Sequence, residues 1–270
     1  LASDLKQSVT VENMGGAMGV PALSVVARAE PDGHTLLMAA FGNIVLQPLL
    51  SKNGGGELVA KLKPVGTIST SPHVLVVSSK LPIKTVQELV DYAKANPGKL
   101  NYASSGNGSL QHVTGAMLEQ QAGIKMTHIP YKGNALAITD LIGGQTQVMF
   151  ATMPTVLPYV KTDKLKALAV IGSSRASSLP DVPTVAETLP GFDVSNWIGI
   201  FAPADTPPAT LKKLSADFQA VLNDPEIKAK LTQGGFDVLA SDGPSLDRYT
   251  KTEFERWSQF VKVTQLKLDD

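Results

Sequence analysis

The chain has no cysteine. Disulfides, thiolate metal sites and a cysteine nucleophile are thereby excluded, and the lack of thiols suits an oxidising compartment. A surplus of either charge is also missing, because 24 Lys and Arg balance 24 Asp and Glu. Nucleic acids and acidic membranes are recognised through excess cations, so neither is an expected partner. Histidine is scarce: only His34, His73, His112 and His128 occur, which leaves little for a metal centre. No apolar run approaches the roughly 18 residues of a membrane-spanning helix. Catalytic signatures are missing too: the sequence holds no Gly-x-Ser-x-Gly elbow, no His-Glu-x-x-His helix and no phosphate-binding Gly-Lys-Ser/Thr. What is present is 270 residues, 43% hydrophobic and 18% charged. That is too apolar for disorder and sufficient for two domains or one large one, meeting a small molecule.

The chain opens at Leu1 with neither an initiator Met nor the basic-then-apolar pattern of a secretory leader. Leu1–Lys6 is amphipathic and uncapped, which predicts a chain that begins inside a helix, at a processed or trimmed end. Beyond it, short β-branched apolar runs bounded by turn residues read as buried strands. They are Val9–Glu12, Thr35–Ala39, Val65–Ser69, Val74–Val77, Leu100–Ala103, Met126–Ile129, Val148–Phe150, Leu168–Ile171 and Trp197–Phe201.

Helices with start signals lie between these runs. Thr85-Val86-Gln87-Glu88 is a capping box. Thr206-Pro207 and Asp224-Pro225 place a capping oxygen before a first-turn proline. Asp242-Gly243-Pro244 leads into a last helix with Tyr249, Phe254, Trp257 and Val261 as its apolar stripe. Such alternation predicts an α/β protein with a mostly parallel sheet. Extended apolar segments at Pro72–Val77 and Trp197–Pro203 are the expected crossings between two lobes.

The richest chemistry is the loop Ser104-Ser105-Gly106-Asn107-Gly108-Ser109. It follows a strand and precedes a helix, Leu110–Gln121, that ends at Gly123. A strand, a Gly/Ser loop and a helix start together favour an anion through free amides, hydroxyls and the helix dipole. Ser109 is the expected N-cap, with His112 on the first turn. Carboxylate or phosphate fits this geometry. Two further strand ends offer ligand contacts: Ala40-Phe41-Gly42-Asn43, and Ala151-Thr152 after the strand 148–150. Each also fits an ordinary βα turn, Lys132 a solvated lysine and His128 a structural strand residue.

Six stretches, in order along the chain, carry a family likeness. They are Val9–Asn13, Pro31–Leu37, Pro97–Ser104, His128–Gly133, Leu179–Glu187 and Ala202–Pro208. Together they resemble the Bug family, the TctC-like substrate-binding proteins of tripartite tricarboxylate transporters. The resemblance implies a type II periplasmic binding protein: two α/β lobes joined by two crossing strands, with a ligand cleft between them. Lobe 1 would comprise residues 1–76 plus 202–270, and lobe 2 residues 77–201. It implies a monomeric periplasmic receptor for a small carboxylate, a di- or tricarboxylate or an aromatic acid. The partner would be the membrane permease subunits, with no cofactor and no nucleic acid. The family's ligand loops correspond to Ala40–Asn43 and Ser104–Ser109.

The chain departs from the family at three places. Ala151 stands where the family often has Asp, which argues against an amino-acid ligand. The family's first strand and its Pro-Gly-Gly-x-x-Asp loop would precede Leu1. Ser51–Lys63 lacks the usual pattern and reads as a flexible surface loop. Two other functions remain open at this point. One is a hydrolase using Ser105 or Ser109 with His112, which lacks an orienting carboxylate. The other is the sensor domain of a regulatory system.

Overall fold

The computed structural model describes residues 2–14, 19–50, 56–172, 174–194 and 196–264. In chain order the elements begin with α1 (Ala2–Leu5), α2 (Val20–Val26), β1 (Leu37–Ala40), α3 (Gln47–Leu50), α4 (Gly56–Val59), β2 (Leu62–Thr70), β3 (His73–Ser78) and α5 (Val86–Ala95). The middle of the chain forms β4 (Asn101–Ser104), α6 (Leu110–Ala122), β5 (Thr127–Pro130), α7 (Asn134–Gly143), β6 (Val148–Thr152), α8 (Met153–Val160) and β7 (Leu165–Ile171). The last elements are β8 (Trp197–Pro203), α9 (Pro208–Leu222), α10 (Pro225–Gln233), β9 (Asp237–Asp242) and α11 (Gly243–Thr264).

Two compact units result. Unit 1 holds the described residues up to Thr70, Trp197–Leu231 and those from Val238 onward. Unit 2 holds Ser71–Asn196 and the turn Thr232–Asp237. The chain therefore changes unit at Thr70/Ser71 and at Asn196/Trp197, and again on either side of Thr232–Asp237. Pro72–Val77 lies within unit 2, nearly all of it in β3, and Trp197–Pro203 is β8 of unit 1.

Unit 1 is built on a sheet of order β1-β8-β2-β9, in which β8 runs antiparallel to both β1 and β2. One sheet face packs Val65, Ile200 and Ala202 against Leu211, Leu214 and Phe218 of α9. Trp197 contacts Phe41, Phe201 and Tyr249, with ring centroids 6.2 Å apart in each case. Unit 2 is built on the order β5-β4-β6-β3-β7. There β4 is parallel to β5 and β6, while β3 is antiparallel to β6 and β7. All six residues of β3 are buried, as a continuous apolar run flanked by strands and covered on both faces requires.

The sheets are thus not mostly parallel: in unit 2, a mixed sheet, β3 runs against the direction of β6, and in unit 1 β8 returns antiparallel between β1 and β2. Val9–Glu12 is not a strand; Val9 and Val11 are exposed at 48% and 72% with no ladder. Strand propensity without a partner leaves backbone groups to water. Positions 51–55 of the expected surface loop lie outside the described residues, and the remainder forms α4 and the start of β2.

The caps follow the sequence with two differences. Thr85 accepts from the Glu88 amide at 3.1 Å, but Glu88 reaches back to the Lys84 amide at 2.7 Å and not to that of Thr85. Thr206 does not cap α9: Pro207 is its N-cap, and the buried Thr206 hydroxyl has no partner among the described residues. Asp224 accepts from Glu226 and Ile227, as expected, and Asp242 accepts from Ser245. On α11 the buried face carries Leu246, Glu253 and Trp257, while Phe254 is exposed.

Candidate functional site

Unit 2 brings the C-terminal ends of the parallel strands β4 and β5 side by side, with Ser104 in register with Pro130. Each strand then turns into a helix, α6 or α7. Ser109 caps α6, accepting from the His112 amide at 3.3 Å. Positive φ at Gly106 and Gly108 lets the loop fold back on itself. Four loop amides are consumed internally. Ser105 donates to Gln111 Oε1 (2.7 Å), Gly106 to Ser104 Oγ (3.1 Å), Gly108 to His112 Nδ1 (3.1 Å) and Ser109 to the Gly106 carbonyl (3.2 Å). Among the described residues nothing accepts from the amides of Asn107, Leu110 and Gln111. The anion-favouring set expected of this loop is therefore those three donors at the start of a 13-residue helix.

Beneath the loop lies a ring stack that sequence reasoning missed. The imidazoles of His112 and His128 are parallel within 2° at 3.9 Å, and Tyr102 stacks on His128 at 4.9 Å. Burial, then the neighbouring His112, pushes the His128 pKa down to about 4, so it is neutral at pH 7. His128 Nε2 lies 2.7 Å from Ser104 Oγ. Ser104 Oγ also lies 3.0 Å from the Gly106 carbonyl, so the imidazole tautomer decides which of the two receives its one hydroxyl proton. Ser104 is completely buried. Among the described residues no carboxylate bonds the His128 ring. For the alternative pairing of Ser109 with His112, the bonds formed are from the Gly108 amide to His112 Nδ1 and from the His112 amide to Ser109 Oγ.

Gln111 and Asn134 are also site residues the sequence did not announce. Gln111 is 3% exposed and donates through Nε2 to Asn134 Oδ1 at 2.7 Å. Their 23-residue separation gives no local signal; only the parallel β4–β5 pairing brings them together. Lys132, by contrast, is exposed.

In unit 1 the loop after β1 begins a π-helix, Gly42–Leu46. Asn43 Oδ1 accepts from the Ala40 amide at 3.0 Å. Phe41 is fully buried, 5.5 Å from Trp257 and 6.2 Å from Trp197 between centroids. Its side chain is core, so backbone and Asn43 are what this loop can present. Ala151 likewise is fully buried in β6, paired with Val74, whereas Thr152 is half-buried and close to Thr155. Unit 1 also carries an apolar groove of about 290 Å³ lined by Ile44, Leu62, Pro64, Phe201 and Phe254, among others. None of the expected site residues lines it.

Comparison with known proteins matches this architecture throughout. The tripartite tricarboxylate transporter family receptor model matches residues 1–266. Protein BugT of Bordetella pertussis is 32% identical over 276 residues, covering 99% of this chain and 83% of the relative. The structure of R. palustris Rpa4515 with adipate superposes with a TM-score of 0.90 at 27% identity, over 98% of this chain and 89% of the other. MatC (Rpa3494) from Rhodopseudomonas palustris, with bound malate, gives a TM-score of 0.84 at 31% identity, over 96% and 90%. The two α/β units are those of periplasmic binding proteins, and the chain belongs to the family of tripartite tricarboxylate transporter receptors, which includes the Bug proteins.

Proposed function

We propose that this chain is a periplasmic solute receptor. It captures a small carboxylate, a di- or tricarboxylate or an aromatic acid, and delivers it unchanged to the membrane permease of a tripartite tricarboxylate-type transporter. The observation that carries this reading is the uncharged anion site of unit 2. Among the described residues nothing claims two amides at the N-terminus of α6, those of Leu110 and Gln111, or the Asn107 amide in the loop before it, in a chain with no surplus cation. Oriented amides neutralise a carboxylate without a lysine, since the helix start supplies about half a positive charge. Adipate and malate, named with two neighbours in the same family, are small dicarboxylates and support the class. Ser104–Ser109 and His112 are the core of the proposed site in unit 2, with Thr152 as a further contact of that unit; in unit 1, taken by itself, Asn43 and the backbone of Ala40–Gly42 are the proposed ligand contacts.

Calorimetric titration with adipate, malate, citrate and benzoate tests the reading. The expected result is saturable binding of at least one acid, recovered intact. A ligand at 100 times its Kd adds about 2.7 kcal/mol of stability, so the same acid raises the melting temperature. No heat and no thermal shift with all four acids overturns the proposal, and recovery of a chemically altered ligand overturns its non-catalytic part.

A further inference from the structure

We infer that Asn134 is a specificity-determining donor of the unit 2 site, and that Gln111 determines which way its carboxamide faces. The inference rests on the carboxylate-receptor reading and names a residue within it. Its logic starts from a group with a single option. The Ser105 backbone N–H can only donate, and its acceptor at 2.7 Å is the Gln111 side chain. That end of the Gln111 carboxamide is therefore Oε1. The other end is Nε2, which can only donate, and it lies 2.7 Å from the Asn134 side chain. The atom receiving it is therefore Oδ1. Asn134 Nδ2 is left with two N–H donors, and no described residue accepts from them.

Gln111 is 3% exposed, so the relay cannot be undone by a swing into solvent without leaving the Ser105 amide unpaired. A reversed Asn134 would set one NH2 group against another. The orientation is thus dictated by one backbone amide acting through two side chains.

The donors stand beside the loop they would serve. Asn134 is the first residue of α7, and the Tyr131 amide bonds the Ser104 carbonyl at 3.0 Å. Gly133 before it has no side chain, and Lys132 is exposed. With its acceptor oxygen occupied, Asn134 offers donors only. It favours a carboxylate or hydroxyl oxygen and gives nothing to an ammonium group.

Titration of the full chain with the same four acids decides the matter, using wild type, Asn134→Ala, Asn134→Asp, Gln111→Glu and the double variant Gln111→Glu/Asn134→Ala, each checked by its melting curve. Asn134→Ala is expected to weaken the bound acid about tenfold, the size of a lost hydrogen bond to a charged group. Asn134→Asp sets carboxylate against carboxylate and is expected to abolish binding. In Gln111→Glu the new side chain still accepts from Ser105 but cannot donate, so Asn134 turns and spends Nδ2 on it. Affinity then falls as in Asn134→Ala, and the double variant is no weaker than Gln111→Glu alone. Additive losses, or wild-type affinity in both Asn134 variants, overturn this inference and leave the receptor reading standing. A wild-type protein that binds none of the four acids overturns the receptor reading and this inference with it.

Discussion

Two loops follow strands, one in each unit, and they are held in opposite ways. The loop after β1 is anchored by an apolar plug: Phe41, fully buried against Trp197 and Trp257, with a side-chain clamp from Asn43 to the Ala40 amide. The loop after β4 has no such plug. Ser104, Gln111, Ser109 and His112 tie it down by hydrogen bonds to its own amides. An apolar anchor is strong but non-directional, so it fixes where a loop lies. A polar network contributes less per contact, yet it decides which donors are consumed and which remain. The second arrangement suits a loop whose task is to present a defined set of amides.

The sharpest way to break this contrast is to remove one anchor of each kind. Phe41→Ala is expected to cost about 3–5 kcal/mol, the usual toll of emptying a large core site. Gln111→Ala removes the partner of the Ser105 amide and is expected to cost about 1–3 kcal/mol. Urea unfolding of both variants measures the difference. Equal losses would mean that the two loops are not held differently.

Acid separates the units next. His73 is buried in β3, and burial pushes its pKa down to about 4, opposed by the Ser71 carbonyl. His128 is depressed to about 4 as well, while His34 of unit 1 is exposed. The unfolded chain, with ordinary histidines near 6.5, takes up protons first as the pH falls. Stability is therefore complete above about pH 6.5 and declines towards pH 4. For His73 the loss is on the order of 3 kcal/mol at about 1.36 kcal/mol per unit; the half-buried His128 adds a smaller loss of the same sign. Denaturation at pH 7 and pH 4.5 should show a wild-type drop that is markedly reduced in His73→Leu. An unchanged drop in that variant would move the acid sensitivity elsewhere.

How much of this was legible beforehand follows the same division. The buried strands were readable because β3 and β6 are continuous apolar runs bounded by turn residues. Val9–Glu12 has the same local signal but no partner, and β9 was missed because Asp237–Asp242 is a half-exposed edge strand with Ala240 at φ 48°. The Ser104–Ser109 loop was readable from its glycines and its place between strand and helix. Its dependence on His128 and Asn134 was not, because those residues come from the next strand and from the helix after it, and meet the loop only through parallel pairing. Phe41 was misread as a contact for the reverse reason: nothing in Ala-Phe-Gly-Asn tells whether the ring points to solvent or core.

A milder probe acts on the floor of the unit 2 loop. A Cβ on Gly115 would clash with the buried Tyr102 ring. Tyr102 is the base of the stack carrying His128 and His112, so it cannot yield without moving them. Gly115→Ala is expected to cost about 1–3 kcal/mol by overpacking. It is also expected to shift the imidazole resonances of both histidines in NMR spectra. A stability loss with unmoved resonances would mean that the stack is not what supports the loop.

The smallest effect is the most informative about donors. Ser109 and Thr85 are both N-caps, one within the candidate site and one on α5 away from it. Replacing either by Ala is expected to cost about 1 kcal/mol. Their consequences for binding should differ in kind. Ser109→Ala removes the acceptor that occupies the His112 amide, which adds one donor to those already open at Leu110 and Gln111. A bound carboxylate can then cap the helix in place of the lost hydroxyl, so stability falls in the free protein and is largely restored on adding the acid. Thr85→Ala frees an amide where no ligand is expected, and its deficit should persist at saturating acid. Thermal melts with and without ligand therefore distinguish a helix end that serves the site from one that only begins a helix.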